Sequence, residues 1–169
     1  MVRIKVISIW LILRGTKIIE IQPPHSFEGH GNTRSIFLAG SIDMGAAIDW
    51  QSEVVKGLAY EDILILNPRR DDWDSSWVQT MDNPQFREQV EWELAAMEHA
   101  DKILMYFAPG SKAPVTMLEL GVHLGKNPEK LVVCAPEGFW RKGNVDITCH
   151  KYGAQQVDTL EALIVEAKA

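Results

Sequence analysis

Short apolar runs alternate with longer amphipathic segments along most of the chain. The apolar runs, which we predict to be buried strands, lie at 35–39, 63–66, 102–107 and 131–135. Apolar residues at helical spacing follow the first three runs, at 46–60, 84–100 and 115–126. Strands that alternate with helices in this way predict an α/β fold, with a mainly parallel sheet and helices on both faces.

The two ends of the chain extend this pattern. Runs at 4–13 and 17–21 predict a short N-terminal strand pair, and a polar loop follows at 23–34. Near the C-terminus we predict a fifth strand at 145–149 and a closing helix at 157–167. With 169 residues, we expect a single domain over 1–169, in which 1–34 form an N-terminal extension.

Composition and charge exclude several classes of function. The chain has 17 basic and 23 acidic residues, so a basic face for nucleic acid is not expected. Its longest apolar run, at 6–13, is far shorter than the roughly 20 residues of a membrane span. Two cysteines and five histidines show neither disulfide nor metal-ligand spacing. We therefore expect a cytoplasmic protein without metal, cofactor, nucleic-acid or membrane partner.

Ligands of open parallel sheets bind beyond the carboxyl ends of the strands, where the strand order reverses. The loops to search are therefore 40–45, 67–81, 108–115 and 136–144.

One carboxylate near these loops lies beside an apolar helix face. The predicted helix 84–100 has an apolar stripe at Phe86, Val90, Leu94 and Met97, and Glu93 falls at its edge. A buried carboxylate costs several kcal/mol unless it is paired, which favours a chemical role. The alternative is that Glu93 reaches solvent.

Glu119 repeats this pattern in the next helix, where it would face the ligand-binding edge of the sheet. The alternative is a capping box, because Thr116 stands three residues before it. A pair of carboxylates on successive helices can break a glycosidic or N-glycosidic bond if the groups lie roughly 5–8 Å apart. One carboxylate stabilises or attacks the anomeric carbon while the other protonates the leaving group, and sequence alone leaves this as one option among several.

Four segments in order resemble the nucleoside 2-deoxyribosyltransferase family, in its 2-deoxyribosyltransferase-like branch. They are Ile36-Phe37-Leu38-Ala39-Gly40-Ser41-Ile42, Asn67-Pro68-Arg69-Arg70, 92–101 and Thr116-Met117-Leu118-Glu119-Leu120-Gly121. The resemblance covers roughly residues 35–150. It implies a flavodoxin-like, doubly wound sheet and exchange or hydrolysis of a nucleobase at C1′ of a deoxyribosyl group.

The resemblance also implies roles for individual residues. Glu119 matches the family's nucleophile, Glu93 its base-contacting carboxylate, and Asn144 an asparagine that contacts the ribose of a neighbouring subunit's substrate, which implies a homo-oligomer. Two positions depart from the family pattern: Ile36 replaces a tyrosine and Ala113 replaces an aspartate.

The loops supply further candidates for substrate binding, which are Gly40, Ser41, Asp43, Asn67 and Arg69. Gly40 and Ser41 would let the backbone and a hydroxyl approach the sugar, or they form an ordinary turn. Arg69 and Arg70 would hold a phosphate, or they pair with Asp71, Asp72 or Asp74. Trp73 and Trp77 would stack on a base, or they anchor their loop.

Three functions follow from these candidates. The first is cleavage of the N-glycosidic bond of a 2′-deoxynucleoside through a glutamyl-glycosyl intermediate, with transfer to another free nucleobase. The second is hydrolysis of a nucleoside or nucleoside 5′-monophosphate, and the third is a nucleotide-binding module without catalysis.

Overall fold

A parallel sheet forms the centre of the part of the chain that the computed structural model describes, which is residues 18–42, 49–70, 72–74 and 76–169. Its six strands run in the order β1-β3-β2-β4-β5-β6, and every neighbouring pair is parallel. The strands are β1 (Ile19–Ile21), β2 (Ser35–Gly40), β3 (Leu64–Leu66), β4 (Lys102–Tyr106), β5 (Leu131–Cys134) and β6 (Gln155–Val157).

Within the described ranges, five α-helices cover the two faces of this sheet. They are α1 (Trp50–Gly57), α2 (Pro84–His99), α3 (Pro114–Lys126), α4 (Lys142–Tyr152) and α5 (Leu160–Lys168). Buried side chains of α2, α3 and α4 pack on one face, and those of α1 and α5 pack on the other. The predicted flavodoxin-like, doubly wound α/β fold is confirmed. None of the described helices has the length and apolar character of a membrane span.

The predicted fifth strand at 145–149 is wrong, because these residues form the middle of α4. Val145 and Cys149 are buried while Ile147 is exposed. Residues four apart share one face of a helix, whereas a strand would place all three on the same face. The sixth strand is instead Gln155–Val157, and the closing helix begins only at Leu160, where the hydroxyl of Thr159 accepts a hydrogen bond from the Ala162 amide.

At the other end of the chain, the predicted strand at 17–21 appears as β1, which lies parallel to β3 at the edge of the sheet. Its predicted partner at 4–13 lies outside the described residues. The helix predicted at 46–60 is observed over Trp50–Gly57, with Asp49 accepting from the Ser52 amide, and 46–48 lie outside the described residues.

Helix α2 begins as predicted but buries a different face. The Asn83 side chain accepts hydrogen bonds from the amides of Gln85 and Phe86. The predicted stripe is wrong at Leu94, which is 48% exposed, since the buried residues are Gln89, Trp92, Ala96 and Met97. Trp92 determines which face of α2 is buried, because its ring packs on Phe27 and its indole nitrogen donates to the backbone oxygen of His25. Glu93 therefore lies on the buried side.

The strand order reverses between β2 and β4. The chain leaves β2 toward α1 on one face and leaves β4 toward α3 on the other, so this is the point where ligands bind in such sheets. Gly40 closes β2 with no room for a side chain, since a Cβ there would lie 2.5 Å from the Tyr106 carbonyl oxygen.

Candidate active site

Helix α3 carries Glu119 in a position that rules out the capping box. The helix starts at Pro114, and its N-cap residue, Ala113, provides no side-chain hydrogen bond. Thr116 lies inside the first turn and is buried, so it is not the cap that a capping box requires. The carboxylate of Glu119 is thus not explained by helix capping.

Ala113 has a backbone torsion φ of 44°, in the left-handed region that alanine rarely adopts. Such a conformation costs of order 1 kcal/mol or more and persists only where neighbouring structure imposes it. This strain lies immediately before the helix that carries Glu119.

Glu93 and Glu119 are both partly buried, and the charge of Glu93 acts on Glu119. Burial, and after it the charge of Glu93, raises the pKa of Glu119 to about 8. Burial also raises the pKa of Glu93, and a hydrogen bond from Gln89 opposes this rise. The two carboxylates therefore hold a proton at neutral pH, as two separate exposed glutamates would not.

Gln89 joins Glu93 to the loop that follows β3. Its side-chain amide nitrogen donates to Glu93 Oε1 at 2.8 Å and to the Pro68 carbonyl oxygen at 2.9 Å. Its oxygen accepts from Arg70 Nη1 at 3.3 Å. Gln89 is 4% exposed, and these hydrogen bonds satisfy both the nitrogen and the oxygen of its buried amide.

Arg70 is itself held firmly. Its guanidinium donates to both carboxylate oxygens of Asp72, at 2.6 and 2.9 Å, and lies 5.1 Å from the ring centre of Trp77. Trp73 packs edge-on against Trp77. These contacts favour the interpretation in which the arginine pairs within its loop and the tryptophans anchor it.

Asn67 fixes the beginning of the same loop. Its side-chain nitrogen donates to Glu20 of β1 at 2.7 Å, and its side-chain oxygen accepts from the Arg69 amide at 3.1 Å. Arg69 Nη1 is buried and lies 3.4 Å from Asp49 Oδ1, an ion pair that forms no hydrogen bond among the residues described. Arg69 is thus the less fully engaged of the two arginines.

Ser41 joins the loops that follow β2 and β4. Its hydroxyl lies 2.6 Å from the Ser111 hydroxyl and accepts from the Ala108 amide at 3.1 Å. The residue is buried, so this hydroxyl connects the two loops inside the protein. A direct contact with substrate stays a prediction, as it does for Gly40.

Of the other two predicted residues, only Asn144 is among those described, and it lies apart from this group. Asn144 is exposed within α4, not in the loop where we expected it, because α4 begins already at Lys142. It lines a small groove of about 100 Å³ between α3 and α4, with Met117, Leu120 and Val145. Asp43 lies outside the described residues.

Sequence reasoning missed Gln89 as a site residue. Its position one turn before Glu93 was the available signal, but an amide at that spacing is equally typical of an exposed helix surface. Among the described residues, no group of three histidine, cysteine or acidic side chains is placed to hold a metal ion.

Comparison with known families gives one match. The family model described as nucleoside 2-deoxyribosyltransferase like matches residues 33–139, which include Glu93 and Glu119 but not Asn144. A search of curated proteins found no match.

Proposed function

Since this chain belongs to the nucleoside 2-deoxyribosyltransferase-like family, we propose that it cleaves the N-glycosidic bond of a 2′-deoxynucleoside and transfers the deoxyribosyl group to another nucleobase. The observation that carries this proposal is the half-buried carboxylate pair, in which burial raises the pKa of both groups and the charge of Glu93 raises the pKa of Glu119 further. A singly protonated pair contains both groups that the reaction requires, one nucleophile and one acid.

The first half-reaction uses the pair as follows. The Glu119 carboxylate attacks C1′, the bond from C1′ to the base nitrogen breaks, and its electron pair goes to that nitrogen, which takes a proton from Glu93. An acceptor base then attacks C1′, the ester bond from C1′ to Glu119 breaks and restores the Glu119 carboxylate, and the proton of the acceptor nitrogen passes to Glu93. In the unliganded protein the proton resides on Glu119 below pH 8. Positive charge developing at C1′ favours ionised Glu119, and negative charge on the departing base draws the proton toward Glu93.

Product analysis tests the proposal directly. The protein is incubated with each deoxynucleoside, with and without free adenine, and the products are separated by chromatography. We expect a new deoxynucleoside only when the acceptor base is present.

Glu119→Gln should lower turnover at least about a thousandfold, on the order of 4 kcal/mol of transition-state stabilisation. Glu93→Gln should cost less and vary with the leaving base.

The matched control is Glu91→Gln, which changes an exposed carboxylate on the same helix, paired with Arg87 at 3.6 Å. It should leave turnover unchanged. Release of free base by wild-type protein without any transfer would establish the hydrolase instead. Nucleotide binding with no turnover by any variant would establish the non-catalytic module.

A specific observation favours the 5′-monophosphate as a substrate of the hydrolase alternative. Arg69 Nη1 is buried and lies 3.4 Å from Asp49 Oδ1 without a hydrogen bond in the described part of the chain, and a phosphate oxygen would supply that hydrogen bond. Arg69→Met should then raise KM for the monophosphate about tenfold or more and leave KM for the nucleoside unchanged. Equal effects on both substrates would exclude a phosphate contact.

A further inference from the structure

The orientation of the Gln89 amide is determined by its three partners. Its nitrogen faces two acceptors, the Pro68 carbonyl oxygen and Glu93 Oε1, while its oxygen faces the Arg70 guanidinium. Rotating the amide by half a turn would place its oxygen against two oxygens and its nitrogen against a cation. Both oxygens of Asp72 hold Arg70 in place. The hydrogen-bonded series from Asp72 through Arg70 and Gln89 to Glu93 therefore has one arrangement of donors and acceptors.

This arrangement distinguishes the two oxygens of Glu93. Oε1 accepts a hydrogen bond from Gln89, and the carbonyl oxygen of a protonated carboxyl group is a better acceptor than its hydroxyl oxygen, so this bond favours the acidic proton on Oε2. The charged groups around Glu93 are Glu119 across the site on α3 and, through Gln89, the Arg70 guanidinium with Asp72.

We propose that Gln89 is a positioning residue that confines the exchangeable proton of Glu93 to Oε2 and holds that oxygen toward the leaving base, with Arg70 fixing the direction of the amide. This inference rests on the proposed function for its chemical meaning. It deepens that function because it names the atom through which the base receives its proton and the residues that select it.

The test combines a direct titration with kinetics. Glutamate side chains are labelled with carbon-13, and the signal of Glu93 is identified by its loss in Glu93→Gln. In Gln89→Met the side chain keeps its length but loses its donors, so the titration midpoint of Glu93 should move to higher pH. The kcat should fall about tenfold to a hundredfold, with KM little changed.

Two further variants keep the proposal falsifiable if Gln89→Met fails to fold. Arg70→Met releases the amide oxygen and should also move the Glu93 midpoint to higher pH. Asp72→Asn retains the contact between Arg70 and Gln89, and it should leave that midpoint at or below the wild-type value. A lowered melting temperature with an unmoved Glu93 midpoint would overturn the proposal. If wild-type protein shows no turnover, the proposed function fails, yet the titration still decides the role of Gln89.

Discussion

Replacing Glu119 by glutamine should stabilise the protein at neutral pH while it removes the proposed nucleophile. Burial and the charge of Glu93 raise the pKa of Glu119 from an ordinary 4.5 to about 8. The folded protein therefore retains a proton that the unfolded chain releases. The contribution of Glu119 to stability is complete below pH 4.5 and is lost as the pH rises toward 8.

The size of this effect follows from the shift in pKa. Each unit corresponds to about 1.4 kcal/mol, so the loss is about 1 kcal/mol at pH 5 and about 4 kcal/mol at pH 8. Glutamine carries no titrating proton and escapes this loss. The free energy of unfolding of Glu119→Gln, relative to wild type, should thus increase by about 3 kcal/mol between pH 5 and pH 8.

Urea denaturation followed by tryptophan fluorescence measures this difference at the two pH values. Comparing the two values cancels any packing change that does not depend on pH. Glu91→Gln is the control, because the exposed carboxylate should contribute within about 0.5 kcal/mol at either pH. An equal effect of Glu119→Gln at pH 5 and pH 8 would show that Glu119 titrates normally, and the argument for a proton shared with Glu93 would fail.

Four further outcomes test the structure around the site. Gly40→Ala should lower the melting temperature by several degrees because its Cβ meets the Tyr106 carbonyl oxygen, and an unchanged melting temperature would contradict that packing. Ala113→Gly should raise the free energy of unfolding by about 1 kcal/mol by relieving the left-handed backbone, as urea titration can show. Ser41→Ala should destabilise the protein by about 1–3 kcal/mol in the same titration, since the Ala108 amide loses its acceptor. We also predict a homo-oligomer, and a fully active monomer at micromolar concentration in light scattering would disprove it.

The alternation of apolar strands and amphipathic helices was sufficient to predict the fold class. Four central strands are buried on both faces and read as continuous apolar runs, so their pattern is strong. By contrast, β6 is a mostly exposed edge strand of Gln155–Val157, and nothing in its composition distinguishes it from a loop. Helix α4 was mistaken for a strand because five residues are too short a window to separate the two periods.

The candidate site was only partly predictable for a related reason. Spacing within each helix indicated Glu93 on α2 and Glu119 on α3 separately. Their interaction depends on the rotation of α2 about its own axis. That rotation follows from Trp92, whose contacts with Phe27 and His25 come from a distant loop. The contact of Gln89 with Pro68 and Arg70 likewise joins segments about twenty residues apart, which no local pattern records.

The strand β1 supports the loop that follows β3. It has three residues and one neighbouring strand, so it is the kind of element that detaches first in local unfolding. Yet the Glu20 side chain and the Ile21 carbonyl oxygen hold Asn67, the first residue of the loop that reaches Gln89. The segment matched by the family begins only at residue 33. Sequence change in β1 can therefore loosen or tighten this loop without altering any residue of the matched segment.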